Sequence, residues 1–352
     1  MVNFRKIMLL GLLLAMAATT QAQTDCAPAG EVSFVCGPVN AEDLVKVPYL
    51  DWILASAMLP NTGFYLIDAN SGKWQVPRIS FKQDMSMYPL CPSAPDLGHL
   101  ETHGLSIRAG KNNRATLYAV AHGGRESIEI FNVDASGTTP VLTWTGCVVM
   151  PEGMPANSVA SFSDGSIVAT ILLMPGKTFG DSLAMRPTGA VVKWSPGATG
   201  FTTVGNSSLP GNNGIEVSAD DSEIYVVSSG FQTIVVFSNT NPVRQLRSTK
   251  QLPITPDNVH MGPNGMLLTA GMKNDVPECG GPPNPRMDLA ILSKCPSGSI
   301  GIEINPATMA TKVLVETKTI PTFSNATMVL TTGKRFWLGT FNGNRIAYGE
   351  LK

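Results

Sequence analysis

The sequence predicts an all-β fold, a six-bladed β-propeller, and three observations lead to it. Of the 352 residues, 43% are hydrophobic and 14% charged, and the 34 glycines and 26 prolines are typical of a folded, turn-rich protein. The apolar segments are short, rich in β-branched and aromatic residues and mostly alternating, as in 128–131, 223–227 and 233–237. Third, one unit recurs along the chain: a polar residue, an apolar stretch, a turn and a strand.

The recurring unit always begins with a polar side chain. Its six copies begin at Glu42, His103, Asn157, Asn213, Asn258 and Asn325. These positions are 61, 54, 56, 45 and 67 residues apart, so six four-stranded sheets fill the chain after its first segment. Such a period is typical of a propeller. A β-sandwich would have turns at similar density, but it does not require a polar residue at the same place in each unit.

The first 22 residues differ from the rest. Arg5 and Lys6 precede an apolar run at 7–15, and Thr20-Gln21-Ala22 has the small residues of a cleavage site. We expect a secretory signal peptide at 1–22, one propeller domain at 23–352, and a secreted or periplasmic protein. No later segment has the roughly 18 apolar residues of a membrane span. With 25 Lys and Arg against 26 Asp and Glu, the chain lacks the basic surface of a nucleic-acid-binding protein.

Six cysteines follow the predicted signal peptide, and six thiols allow 15 pairings among which the sequence does not choose. Short loops favour Cys26–Cys36 and Cys279–Cys295, which leaves Cys91–Cys147. The alternative is that several of them are free buried thiols.

Rotation about a propeller axis carries equivalent positions to one end of the central channel. The residues expected to face one another there are Glu42, His103, Asn157, Asn213, Asp257 and Asn258. Carboxylate and carboxamide oxygens suit Ca²⁺, which takes six to eight oxygens in flexible geometry. Zinc would favour His and Cys, and the chain has only four histidines. The sequence predicts a calcium site; the alternative is that the Asn-Gly and Asp-Asn pairs only make turns.

These residues stand in short motifs whose order resembles that of the paraoxonase/arylesterase family, six-bladed propellers related to the gluconolactonase and senescence-marker group. The motifs are Glu42-Asp43-Leu44, His103-Gly104-Leu105-Ser106, Leu117-Tyr118, His122, the segment 127–131, Asn157, Asn213-Gly214-Ile215 and Asp257-Asn258-Val259. The resemblance extends from about residue 40 to 351 and keeps the interval of 19 positions from the first histidine to the second.

The resemblance implies calcium-dependent hydrolysis of a small-molecule lactone, with aryl esters as side substrates. It implies that the catalytic Ca²⁺ is held by Glu42, Asn157, Asn213, Asp257 and Asn258 and polarises the ester carbonyl. It also implies that His103, oriented by His122, takes a proton from the attacking water, with an acid limb near the usual histidine pKa of about 6.5. A histidine at a channel rim can also be only a polar gate.

The chain departs from the family at two informative positions. The family's second, structural calcium uses the equivalent of Asp43 and an Asp next to the equivalent of Asn157, where this chain has Ser158. Gly349 stands in place of a C-terminal cysteine, so the ring would close by strand pairing alone.

Two other functions are compatible with the sequence. A sugar lactonase would bind calcium but needs polar groups for the sugar hydroxyls, whereas this chain has 16 methionines and apolar loop residues. A non-enzymatic propeller that binds a protein or a glycan would not need the predicted oxygen ligands.

Overall fold

The computed structural model describes residues 26–273, 294 and 297–352. In that part of the chain, 25 strands form six sheets, which we call blades 1 to 6. Blade 1 contains β2 (Leu44–Lys46), β3 (Trp52–Ser56), β4 (Phe64–Asp68) and β5 (Trp74–Gln75). Blade 2 contains β7 (Glu101–Ala109), β8 (Arg114–His122), β9 (Ser127–Asp134), β10 (Val141–Val149) and β6 (Ile79–Phe81). Blade 3 contains β11 (Val159–Ser161), β12 (Ile167–Ile171), β13 (Ala190–Trp194) and β14 (Thr202–Thr203).

The second half of the ring repeats this plan. Blade 4 contains β15 (Asn212–Val217), β16 (Glu223–Ser228), β17 (Thr233–Ser238) and β18 (Gln245–Ser248). Blade 5 contains β19 (Ile254–Met261), β20 (Leu267–Lys273), β21 (Ser299–Ile304) and β22 (Thr311–Glu316). Blade 6 contains β23 (Ala326–Thr332), β24 (Arg335–Thr340), β25 (Arg345–Glu350) and β1 (Ser33–Cys36).

The first strands of the six blades form the inner ring of the molecule. Strands β2, β7, β11, β15, β19 and β23 contact one another in that order, and β23 contacts β2. The predicted six-bladed propeller is therefore confirmed. Each recurring polar residue of the sequence lies in one of these strands or within two residues of its start.

The middle strands of the blades are buried on both faces, which explains their continuous apolar runs. In β16, for example, every residue from Ile224 to Ser228 is buried. The outermost strand β22 is mostly exposed, because only one edge and one face of it meet the rest of blade 5.

Two features differ from six plain four-stranded blades. Blade 2 has a fifth strand, because the connection from blade 1 crosses its outer edge and β6 pairs in parallel with β10. A single short helix, α1 (Phe179–Leu183), interrupts the connection between β12 and β13 in the described residues. A capping box between Thr178 and Asp181 fixes its first turn.

The ring closes by the pairing of its N-terminal strand, as expected because Gly349 stands in place of a C-terminal cysteine. Strand β1 pairs antiparallel with β25 and becomes the outer strand of blade 6. A Cβ at Gly349 would lie 2.7 Å from the Phe336 ring and 2.8 Å from the carbonyl oxygen of Glu31, so glycine allows this close approach.

Two of the predicted disulfides are confirmed, Cys26–Cys36 and Cys91–Cys147. The predicted bond between Cys279 and Cys295, like the predicted signal peptide at 1–22, lies outside the described residues. Two disulfides indicate folding in an oxidising compartment. Within the described ranges, no helix has the length and apolar character needed to cross a membrane.

Candidate active site

Three of the polar residues that start the repeats, His103, Asn213 and Asn258, lie in irregularities of the inner strands. The pairing of β7 with β8 is interrupted between Thr102 and Leu105, and that of β15 with β16 between Asn212 and Ile215. Strands β19 and β23 are interrupted at the equivalent place. An irregularity of this kind re-aims side chains locally. The Asn-Gly pair at 213–214 is therefore part of a bulged strand and does not make a turn.

The glycines after these residues let neighbouring inner strands approach closely. A Cβ at Gly104 would lie 2.5 Å from the Cα of Ser158, and one at Gly214 would lie 2.6 Å from the Cα of Asn258. Real Cβ atoms do not tolerate such distances. Glycine at these two positions thus brings polar residues of adjacent blades together.

Buried threonines of neighbouring strands hold the same residues through their main-chain carbonyls. Thr170 donates its hydroxyl to the carbonyl of Asn213 at 2.5 Å, and Thr269 donates to that of Asn258 at 2.7 Å. Thr327 donates to the carbonyl of Glu42. Because these bonds fix the backbone, the attached side chains are preorganised at the end of the channel.

The structure brings the predicted residues together at one cavity of about 460 Å³. Five of its lining residues were predicted from the sequence: Glu42, His103, Asn157, Asn213 and Asp257. Asn258 joins them by donating from Nδ2 to Oε1 of Glu42 at 2.5 Å. We call Glu42, Asn157, Asn213, Asp257 and Asn258 the oxygen cluster. A larger groove of about 620 Å³ lies near β22 and contains none of the predicted residues.

Four oxygens of the oxygen cluster are buried without a hydrogen-bond partner among the described residues. They are Glu42 Oε2, Asn157 Oδ1, Asn213 Oδ1 and Asn258 Oδ1. Leaving a buried polar atom unsatisfied costs about 1–3 kcal/mol. Four such atoms of a hard-oxygen type in one place can supply part of the six to eight oxygens that a calcium ion takes. The residues present therefore fit a bound Ca²⁺.

The ionised forms of the two carboxylates of the oxygen cluster are disfavoured by their surroundings. Burial and the negative charges of the neighbouring Asp257 and Asp43 raise the pKa of Glu42 well above its usual value. Burial also raises the pKa of Asp257 to about 7, against the opposing effect of a hydrogen bond from Asn213. Both shifts reflect a concentration of negative charge that a cation would relieve.

The two predicted histidines are in contact at the edge of the cavity. Nδ1 of His103 lies 3.2 Å from Nε2 of His122, and Nε2 of His103 lies 3.8 Å from Oε2 of Glu42. Nδ1 of His122 lies 2.7 Å from a carboxylate oxygen of Glu126. The sequence reasoning missed Glu126, whose only signal was its position four residues after a histidine.

His103 is neutral at ordinary pH. Its side chain is 14% exposed, and burial, together with the neighbouring His122, lowers its pKa to about 3. The expectation of an acid limb near pH 6.5 from His103 is therefore wrong, because the environment disfavours the imidazolium form. A neutral imidazole is the form that can accept a proton.

Asp43 does not line the cavity, although the sequence reasoning grouped it with the metal ligands. Its Oδ1 accepts hydrogen bonds from the backbone of Leu44 and from Nε2 of His260, both at 2.8 Å, and its Oδ2 accepts from the backbone of Leu105 at 2.7 Å. Nδ1 of His260 lies 3.5 Å from Oε2 of Glu216. We call Asp43, Glu216 and His260 the charge cluster. A second calcium does not fit here, because His260 already faces the carboxylate.

His260 provides the positive charge of the charge cluster. Burial opposes its protonation, but the charge of Asp43 and hydrogen bonds to Asp43 and Glu216 raise its pKa to about 10. The sequence reasoning missed His260 because no equivalent histidine occurs in the other repeats.

No group of three or more His, Cys, Asp or Glu side chains placed for a metal ion occurs in the described ranges. The oxygen cluster differs from such a group because three of its five members are asparagines.

No protein-family model and no curated protein matches this sequence. Solved structures resemble its fold at low identity. A luciferin-regenerating enzyme aligns with a TM-score of 0.54 and 11% identity over 91% of this chain and 95% of that one. A gluconolactonase-like protein aligns with a TM-score of 0.51 and 13% identity, over 93% of this chain and 94% of that one. The WD40 repeats of RRP9 align with a TM-score of 0.50 and 9% identity, over 92% of this chain and 98% of that one. These likenesses extend to the propeller fold alone.

Proposed function

We propose that this protein is a calcium-dependent hydrolase of lactones, with aryl esters as side substrates. The observation that carries the proposal is the set of four buried oxygens in the oxygen cluster that have no hydrogen-bond partner in the described part of the chain, next to an apolar cavity and a neutral histidine. A propeller that serves only as a scaffold gains nothing from this arrangement, which costs free energy.

The ligands of the ion are the side-chain oxygens of Glu42, Asn157, Asn213, Asp257 and Asn258. When bound there, Ca²⁺ supplies polarisation of the ester carbonyl and stabilises the oxyanion that forms on attack. These five residues bring two formal negative charges, which balance the two positive charges of the ion.

His103 acts as the general base in this proposal. Its Nε2 lies beside Glu42 at the edge of the oxygen cluster and accepts a proton from the attacking water. The same nitrogen then returns the proton to the leaving alkoxide, so the group ends the cycle neutral. His122 holds the ring of His103 from the other side.

The walls of the cavity favour an apolar substrate. Away from the oxygen cluster most of the wall is apolar and is formed by Met58, Leu172, Phe179, Pro256, Met272 and Phe341, with the polar side chains of Ser229, Thr255 and Asn342 beside them. Apolar walls favour aliphatic or aromatic lactones and esters over a sugar lactone, whose hydroxyl groups would lose hydrogen bonds to water.

The compartment belongs to the same proposal. The signal-peptide pattern at 1–22 and the disulfides favour a secreted or periplasmic enzyme. Free calcium is available to such an enzyme outside the cytoplasm.

The proposal is tested by initial rates on a panel of aliphatic lactones, acyl-homoserine lactones, phenyl acetate and a sugar lactone. Each substrate is measured with excess chelator and again after millimolar Ca²⁺ is restored. We expect hydrolysis of the apolar lactones that chelation abolishes and Ca²⁺ restores. Hydrolysis that is insensitive to chelator, or none on any substrate with Ca²⁺ present, would refute the proposal.

A further inference from the structure

Three side chains form a continuous hydrogen-bonded row from the cavity to the surface of blade 2. His103 is at the cavity, His122 is behind it, and Glu126 is at the outer end, where 43% of its side chain is exposed. The exposed fraction of the side chain falls inward along the row, to 19% for His122 and 14% for His103. The only carboxylate in direct contact with the histidine pair on its outer side, among the described residues, is Glu126.

The row determines which nitrogen of each ring carries a proton. A carboxylate only accepts hydrogen bonds, so His122 donates from Nδ1 to Glu126. The Nε2 of a neutral His122 is then an acceptor, and His103 must donate to it from Nδ1. The Nε2 of His103, which faces Glu42 and the cavity, is left with its lone pair.

We propose that Glu126 is a positioning residue that, through His122, keeps the Nε2 of His103 free to accept a proton. The inference rests on the proposed hydrolysis and adds a third member to the histidine pair. Glu126 also stabilises the positive charge that appears on the pair when His103 accepts a proton, since a carboxylate partner favours the charged form of the ring it faces.

The neighbouring charges leave Glu126 available for this role. Arg125, the adjacent residue, pairs instead with the buried Glu129, at 2.8 Å from Nε and 2.6 Å from Nη2. Glu129 is satisfied further by Ser127 and by the indole of Trp144. The two glutamates of this segment therefore have separate partners.

The backbone places Glu126 accurately. Its carbonyl accepts a hydrogen bond from the amide of Met150 at 2.9 Å. Gly123, which opens the turn between β8 and β9, has a φ of +87°, and a Cβ there would collide with the carbonyl of His99. Glycine is required by both its backbone angle and the close approach, so the turn that presents Glu126 is tightly defined.

The first test replaces Glu126 with alanine and measures kcat, KM and calcium affinity on a lactone that the wild type hydrolyses. We expect kcat to fall about 10- to 100-fold, the usual effect of losing an orienting partner, while KM and calcium affinity stay within about twofold. In the His122→Gln background, Glu126→Ala should cause no further loss, because the row is already broken. An unchanged kcat, or full additivity with His122→Gln, would overturn the proposal.

The matched control is Glu101→Ala. Glu101 pairs with His122 through the backbone of β7 and β8, but its carboxylate makes no hydrogen bond to either histidine in the described structure. We expect this variant to keep its kcat. A loss equal to that of Glu126→Ala would mean that removing any nearby negative charge has this effect, and the specific role of Glu126 would be refuted.

The second test reads the tautomers directly and does not require activity. The chain has only four histidines, so a long-range ¹H–¹⁵N spectrum of the imidazoles is simple, and His→Gln variants assign it. We expect Nδ1–H forms of His103 and His122 in the wild type and a mixture of tautomers in Glu126→Ala. Unchanged tautomers in the variant would overturn the proposal, even if no lactone is hydrolysed and the proposed function has failed.

Discussion

The oxygen cluster and the charge cluster lie in or within two residues of the inner strands but differ in how their polar atoms are paired. Glu42 and Asp43 are consecutive residues, and Asn258 and His260 both lie in β19. Nevertheless, four oxygens of the oxygen cluster have no hydrogen-bond partner within the described ranges, whereas Asp43 receives three hydrogen bonds. Two residues that share a strand and a channel can therefore serve opposite purposes.

Whether its polar atoms are already hydrogen-bonded distinguishes a structural polar group from a group that can bind a metal ion. The charge cluster contains its own cation and stabilises the ring without an added ion. The oxygen cluster has negative charge and unsatisfied oxygens, so its free energy falls only when a cation binds. The presence of buried carboxylates alone does not distinguish the two clusters, since Glu42 and Asp43 are both buried.

The largest effect is expected from removing a ligand of the oxygen cluster. Asp257→Ala or Asn213→Ala should abolish measurable lactone hydrolysis and weaken calcium binding strongly, because each removes a side-chain oxygen of the proposed site. Hydrolysis rates and calorimetric calcium titration measure the two effects.

The matched control for Asn213→Ala is Asn212→Ala. Asn212 is equally buried, but its amide is satisfied by the backbone of Ser207 and Leu209, both at 2.9 Å. We expect Asn212→Ala to lower the melting temperature and to keep calcium binding. If both variants behave alike, the distinction between paired and unpaired amides has no functional meaning.

A smaller effect on the reaction is expected from the base. His103→Gln should lower kcat by roughly 10²–10⁴-fold, the usual contribution of a positioned general base. Calcium binding should persist, because His103 is not part of the oxygen cluster, and His122→Gln should cost less. Near-complete activity in His103→Gln would assign the histidine to gating and leave Glu42 or Asp257 as the base.

The charge cluster should affect stability and leave calcium binding intact. His260→Ala leaves two carboxylates without their cation and should lower the free energy of unfolding by about 3–5 kcal/mol. Because the pKa of His260 is raised to about 10, its stabilisation is complete below about pH 6.5 and disappears as pH rises through about 10.

Urea unfolding of the wild type and of His260→Ala across this pH range measures how much protonated His260 contributes to the free energy of unfolding. A constant difference between the two proteins at all pH values would show that protonation of His260 is not its source. Loss of calcium binding by the folded variant would contradict the separation of the two clusters.

The smallest effect concerns the pH dependence of calcium affinity. In the metal-free protein the pKa of Asp257 is raised to about 7, so below that pH a proton competes with the ion. Calcium affinity should weaken by up to about tenfold per pH unit below 7 for one displaced proton. Calorimetry in buffers of different ionisation enthalpy measures the released proton. Equal affinity at pH 6 and pH 8 would contradict this.

The repeated features of this molecule could be predicted from its sequence. Six polar residues at similar intervals predicted the six inner strands, and rotation about the axis placed Glu42, His103, Asn157, Asn213 and Asp257 at one cavity. The prediction succeeded because propeller symmetry converts a period in sequence into proximity in space.

The unrepeated features could not be predicted in this way. His260 and Glu126 occur once each, and their partners are 217 and four residues away in the sequence. The pKa of His103 also depends on burial and on a neighbouring ring, which the sequence does not specify. Asp43 was grouped with the ligands because the family that the sequence resembles uses the equivalent residue for a second calcium. The motif does not show that His260, 217 residues away, pairs with this carboxylate.

The central claim is that the oxygen cluster binds one calcium ion, and a crystal structure of the protein with millimolar Ca²⁺ tests it most directly. The account predicts an anomalous peak with the oxygens of Glu42, Asn157, Asn213, Asp257 and Asn258 at about 2.3–2.6 Å. It also predicts no ion at Asp43, where His260 remains in contact. A structure in which the five side chains surround no ion, or in which calcium binds elsewhere, would contradict the account.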